Sequence, residues 1–221
     1  MAGIVVYGAG GMGKEVAEAV LACAESDPTR EFLGFLDDRA DLHGQSLLDY
    51  PVLGGAEWAA RHPEVEIALG FGHPWTRYRV VQDLRAIGSK FATVVHPRAE
   101  ISPSARIDEG TVIFSGCVIS SGARLGSFVY LNYLSIISHD AWISDFACIM
   151  GHAAISGEVR VGEGALIGAG ATTRQGVSIG DWSLIGAGAA VVNDIPPLCV
   201  AVGVPARPIR HYQTREEMPA F

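Results

Sequence analysis

The chain has 221 residues, 49% of them hydrophobic, and a formal net charge of −8. That acidic balance leaves no broad basic surface to hold a polyanionic backbone, which argues against nucleic acid as a partner. No apolar run approaches the roughly 20 residues that span a bilayer, and Met1 leads straight into a strand and a glycine turn rather than a secretory leader, so a cytoplasmic protein without membrane insertion is expected.

Ile4-Val-Val-Tyr-Gly8 predicts a short buried strand running into Gly8-Ala-Gly-Gly-Met-Gly13, and Lys14 to Ala24 predicts a helix with Val16, Ala17, Val20 and Leu21 on one face. Backbone N–H groups at such a turn, with the positive end of the helix dipole, suit a phosphate. The turn is also GxGxxG through Gly8, Gly10 and Gly13, a weak motif alone, and it equally serves to let a helix pack closely on its strand. A second strand, Phe32 to Leu36, ends in Asp37 and Asp38, either solvated or placed to take a ribose hydroxyl or a base edge. A helix from Ala56 to Arg61, a strand from Val65 to Leu69 opening into Gly70-Phe-Gly-His-Pro74, and a helix from Trp75 to Ile87 complete this part. The pattern predicts a small Rossmann-like α/β domain over residues 1–92 with about half the strands of a full dinucleotide fold. The candidate substrate-binding set here is Gly8, Gly10, Gly11, Gly13, Asp37, Asp38 and Gly70, with a nucleotide-sugar diphosphate ahead of NAD. His73, in the loop before a proline, reads as structural or exposed.

From Val95 to Val191 every sixth residue belongs to one series, and sixteen of the seventeen are Val, Ile or Leu; only Thr173 departs. Four residues after each stands a second series of small or narrow residues, from Ala99 to Ala189, closing on Ile195. A period of six held this long is neither the 3.6 of a helix nor the 2 of a strand, so it predicts an all-β solenoid of hexapeptide repeats over residues 93–210. Many of the 27 glycines fall to its turns. The four cysteines, Cys23, Cys117, Cys148 and Cys199, form no CxxC pair and read as reduced thiols. The tail, 211–221, carries no motif; capping of the last coil and disorder are both open.

The second and third residues after each large aliphatic fall near a corner and point outward. His139 and Asp140 hold those places after Ile137. A histidine can take a proton from an attacking hydroxyl or amine, and a neighbouring carboxylate can set its tautomer. His152, also at a corner, reads as exposed or interfacial.

Taken together, Gly8-Ala-Gly-Gly-Met-Gly-Lys-Glu15, the Asp37-Asp38 strand end, the hexads, Ile137-Ser-His-Asp140 and Gly203-Val-Pro-Ala-Arg207 resemble the hexapeptide-repeat acetyltransferases of the sialic acid O-acetyltransferase and bacterial amino-sugar N-acetyltransferase type. The resemblance implies a left-handed parallel β-helix with three hexads per coil, a homotrimer with active sites between subunits, and acetyl-CoA as the acetyl donor. It implies His139 as general base with Asp140 as partner, and Asn132 near the acceptor. It also implies Gly157, Ala169 and Ala187 along the pantetheine arm, and Arg207 at a CoA phosphate. With three hexads per coil, Gly157 lies one coil beyond His139 and is expected to leave room for an extended ligand and offer it a backbone N–H. Some members carry a second histidine beside the acetyl carbonyl where this chain has Cys148, and often Glu where it has Ser138; Cys148 therefore joins the cofactor-binding set. No metal is expected, since the solenoid histidines, His96, His139 and His152, lack the spacing of a zinc-dependent carbonic anhydrase of the same repeat type. Competing readings are an NAD-dependent oxidoreductase and a nucleotide-binding sensor for which the solenoid is only a trimerising scaffold.

Overall fold

The computed structural model describes residues 2–219. Strands β1 (Ala2–Tyr7), β2 (Arg30–Leu36), β3 (Ser46–Leu47), β4 (Tyr50–Gly54), β5 (Glu66–Leu69) and β6 (Lys90–Phe91) form one sheet in the order β3-β4-β2-β1-β5-β6, parallel except for the β3–β4 hairpin. Ile4, Val5 and Val6 of the central strand are fully buried, as an uninterrupted apolar run requires of a strand covered on both faces. Helix α1 (Gly11–Ser26) begins three residues earlier than the sequence suggests. The reason is contact: a Cβ on Gly13 would stand 1.8 Å from the Gly8 carbonyl oxygen, so only glycine lets the first turn close against β1. Helix α2 spans Ala56–Arg61, and α3 spans Pro74–Ala86 with its proline in the first turn, where a missing N–H costs nothing.

From Val94 onward the chain winds as a left-handed solenoid. Strand partners lie eighteen residues apart, as in Val112 with Tyr130, Ile119 with Ile137 and Arg124 with Trp142, so three hexads close each coil and build three parallel sheets. The aliphatic series fills the interior, with Ile113, Leu131, Ile149, Ile167 and Ile185 unexposed. Burying each such side chain contributes about 1.5–3 kcal/mol, and the column repeats that gain in every hexad.

The three outer faces have different fates. On the first, Val112, Tyr130, Cys148 and Leu166 are buried against the N-terminal domain, packing with Val16, Ala17 and Val20 of α1. The corner leading into this face carries Phe128, Phe146 and Trp182, which interlock with Tyr78 and Trp75 of α3; Gly164 has no side chain because the Trp182 ring lies across it. The second face presents Val118, Ile136 and Ala154, and the third Arg106, Arg124, Trp142 and Arg160.

The strand Cys199–Val202 continues the first face, and Arg207–His211 pairs antiparallel with it to close the last coil. The tail then returns to the N-terminal domain. Tyr212 is buried with its hydroxyl on the Trp182 carbonyl, Met218 is buried, and the Arg215 guanidinium stands 4.0 Å from the Tyr78 ring centre and 5.0 Å from that of Trp75. Among the described residues no helix is long and apolar enough to cross a membrane.

Candidate active site

The N-terminal glycine turn opens on a cleft of about 340 Å³ bordered by Tyr7, Gly8, Gly10, Asp37, Asp38 and Arg79. Gly10 and Gly11 are exposed, with nothing where a side chain would stand, so their backbones face an open approach to the start of α1. Asp37 accepts hydrogen bonds from the Ala9 N–H at 2.9 Å and from Arg39. Burial alone would raise its carboxyl, but Arg39 and these N–H donors outweigh that and hold it below the usual carboxylate range. Asp38 accepts from the Tyr7 hydroxyl at 2.5 Å and from the Ala56 N–H at 3.3 Å. Burial first, and then this carboxylate, push the Tyr7 phenol well up, so it remains a hydroxyl donor. A larger, mainly apolar cavity of about 590 Å³ adjoins through Thr76, lined by Met12, His73, Trp75, Met150 and Met218.

His139 and Asp140 stand on the corner between the second and third faces, with side chains 49% and 65% exposed. Nδ1 of His139 lies 3.0 Å from Asp140 Oδ2. A carboxylate can only accept, so Nδ1 carries the proton and the lone pair is left on Nε2. Asp140 holds a left-handed backbone, φ 57°, which turns its side chain back along the corner. Two glycines clear the space. A Cβ on Gly122 would meet Asp140 Oδ1 at 2.4 Å, and one on Gly157 would meet His139 Nε2 at 2.4 Å and Cε1 at 2.5 Å. The room that Gly157 leaves is thus occupied in this chain by the imidazole, while its N–H, the other part of the expectation, has no acceptor among the described residues.

Against known proteins, residues 3–84 match the family model described as the PglD N-terminal domain, and residues 158–192 match the hexapeptide repeat of succinyl-transferase. The acetyltransferase domain of PglB from Neisseria gonorrhoeae, solved in complex with acetyl coenzyme A, is 35% identical over 94% of this chain and 98% of its own, with a TM-score of 0.86. The chain belongs to the hexapeptide-repeat sugar acetyltransferases. Perosamine N-acetyltransferase from Caulobacter crescentus, in a histidine-to-asparagine form with CoA and GDP-perosamine, is 29% identical over 94% of this acetyltransferase and 97% of its own chain, with a TM-score of 0.86. WeeI from Acinetobacter baumannii is 27% identical over 95% and 100%, with a TM-score of 0.84. None of the curated proteins matches.

The remaining expected site residues of this acetyltransferase fall into three groups. Asn132, Ala169 and Ala187 lie on or beside the corner between the first and second faces, the two alanines exposed. His139, Asp140 and Gly157 lie on the next corner. The intervening six-residue side spans roughly 20 Å at about 3.3 Å per residue, so one chain does not bring the groups together. Arg207 is exposed at the start of the closing strand, with Nη1 on the Ala206 carbonyl.

Two expectations are corrected here. Gly13 is buried against Gly8 and shapes the turn instead of meeting a ligand, and Gly70 borders the cleft while its missing side chain makes room for Gly13. Cys148 is not beside an acetyl group: it points outward from the first face into the contact with the N-terminal domain and has no exposure. Burial pushes its thiol up to about 12, partly countered by Arg77. We therefore expect Cys148 to resist iodoacetamide at pH 8 in the native protein and to react once denatured, as read by peptide mass spectrometry; native modification would contradict this burial. Sequence reasoning missed Tyr7 and Arg77. Tyr7 falls within the predicted first strand and Arg77 within the predicted helix from Trp75 to Ile87, with no motif marking either.

Proposed function

We propose that this acetyltransferase carries the acetyl group of acetyl-CoA to an amine or hydroxyl of a nucleotide-linked sugar, with His139 as general base. The observation that supports this most is the imidazole itself. It is half exposed at a corner, its Nδ1 is held by Asp140, and its Nε2 has no partner among the described residues. The acceptor nitrogen or oxygen attacks the thioester carbonyl carbon while Nε2 takes its proton. The tetrahedral intermediate collapses to the acetylated sugar and the CoA thiolate, which recovers the proton from the imidazolium. The Gly157 N–H, with no acceptor in the chain among the described residues, is available to the oxyanion.

The nucleotide of the acceptor would lie in the 340 Å³ cleft, its diphosphate at Gly10 and Gly11 where α1 begins. The relatives solved with acetyl-CoA, and with CoA and GDP-perosamine, support both substrates. A site that uses Asn132 together with His139 needs a second copy of the chain, because those residues stand at opposite ends of the second face. That face is apolar at Val118, Ile136 and Ala154, with Ile136 43% exposed, which favours a homotrimer with the reaction in the clefts between subunits.

The test is a panel of nucleotide-linked sugars and amino sugars with acetyl-CoA, following free thiol, beside sedimentation equilibrium. Turnover of one nucleotide sugar by a species of three chains is expected; acetyl-CoA left intact by every acceptor would overturn the reading. Gly157→Ala should lower kcat roughly 100-fold by moving the imidazole off its line of attack, with the KM for acetyl-CoA little changed. Steady-state kinetics of that variant check it.

A further inference from the structure

The aliphatic column has one break, Thr173, and the backbone ladder has one break beside it. On all three faces the N–H that follows each interior aliphatic donates to the backbone carbonyl one coil further on. Along the second face Ser102, Ser120 and Ser138 donate to the carbonyls of Ile119, Ile137 and Ile155 at 2.8–2.9 Å, and Arg174 donates to Val191 at 2.7 Å. Among the described residues that have a further coil above them, Ser156 is the exception. Its N–H goes to the Thr173 hydroxyl at 2.8 Å, and its own hydroxyl goes to the Thr173 carbonyl at 2.5 Å. The pairing of these two strands is correspondingly reduced to Ala154 with Thr172. Two hydroxyls have been inserted where every neighbouring coil makes one direct bond.

The break adjoins the reacting corner. Gly157 is the next residue after Ser156, and it is the surface against which the His139 ring lies. The coil spacing just beyond Ser156 is ordinary, with the Gly157 carbonyl accepting from the Gly176 N–H at 3.0 Å and the Glu158 N–H donating to the His139 carbonyl at 2.9 Å, so the hydroxyl pair bears on how the Ser156–Gly157 peptide is turned beside the imidazole below. We infer that Thr173 is a positioning residue: through Ser156 it sets the Gly157 peptide against His139, and so fixes both the ring and the one N–H beside it. This rests on the reading of His139 as the base. A column that only needed filling would carry valine, as it does at Val161 and Val191, and valine has no hydroxyl to place in the ladder.

Thr173→Val, Thr173→Ser and Ser156→Ala test this. The valine variant should fold with an unchanged or higher Tm, since the Ser156 N–H, released from the Thr173 hydroxyl, can turn to the Thr173 carbonyl as the corresponding N–H does in the neighbouring coils. It is expected to lose roughly 10–100-fold in kcat with the KM for acetyl-CoA unchanged, while serine restores the rate and Ser156→Ala falls between. A readout that needs no acceptor accompanies it: the ring Cε1–H and Cδ2–H resonances of His139 in the free protein should shift in Thr173→Val and return in Thr173→Ser. Wild-type kcat and unshifted ring resonances in the valine variant would overturn the inference. Shifted resonances alongside turnover that is absent in every form would uphold the positioning and sink the transferase reading instead.

Discussion

Replacing His139 with asparagine is expected to lower kcat by roughly 10²–10⁴-fold, the range that general-base help supplies. Asparagine places its amide nitrogen where Nδ1 stands and can still donate to Asp140, so the link to the carboxylate is kept while the ε atoms over Gly157 are removed. What it lacks is a basic lone pair. Acetyl-CoA binding should survive, because the substitution removes a base and not a charge, and a titration of CoA against the variant checks that directly. The remaining rate reports what positioning and backbone donors contribute without a base. Asp140→Asn should cost less, since it removes only the carboxylate that orients Nδ1 and leaves Nε2 in place. A His139→Asn protein turning over within a few-fold of the parent would remove the base from the mechanism.

The second large effect concerns a residue far from that corner. Arg77, on α3, is completely buried. Its Nε and Nη2 donate to the Phe128 carbonyl at 3.1 and 3.0 Å, and its Nη1 donates to the carbonyls of Phe71 at 2.9 Å and Leu69 at 3.3 Å. The Tyr130 ring centre lies 5.6 Å from the guanidinium carbon. No carboxylate pairs with it among the described residues; desolvation lowers its affinity for the proton, and the cation is held by carbonyl dipoles and a ring face. One side chain thus ties the end of β5, the loop after it and a solenoid corner together.

Arg77→Met should destabilise the protein by about 3–5 kcal/mol, as when one partner of a buried charged contact is removed. Exchanging a buried ionic group for apolar side chains is harmless when both partners can be exchanged. Here the acceptors are backbone carbonyls, which no substitution removes, and leaving each without a donor costs about 1–3 kcal/mol. Lysine should rescue little, because a single ammonium cannot reach Phe128 and Phe71 from one position as the planar fork does. Urea denaturation followed by far-UV circular dichroism measures the loss. An unfolding midpoint equal to that of the parent would show that the weld contributes nothing.

Much of the molecule is legible from residue order because a solenoid is a local code. Position within the hexad decides which side chain points inward, so Ile113, Leu131 and Ile149 identify the core without any knowledge of distant contacts, and the same count puts His139 and Asp140 outside at a corner. The glycine turn is legible for a similar reason: strand, turn and helix are neighbours in sequence, and their contacts are too.

Tertiary structure alone decided which of three equivalent outer faces is covered. Nothing in the spacing distinguishes Tyr130 and Cys148 from Trp142, yet the first two are sealed beneath α1 and the last is half exposed. That choice depends on contacts such as Arg77 with Phe128, fifty-one residues apart, which no short-range period encodes. The same limit governs the corner chemistry. Gly157 could be counted into register with His139, but whether its empty space would hold a ligand or the imidazole depended on how the ring turned under the pull of Asp140 and the lie of the coil above, and those are set by packing in three dimensions.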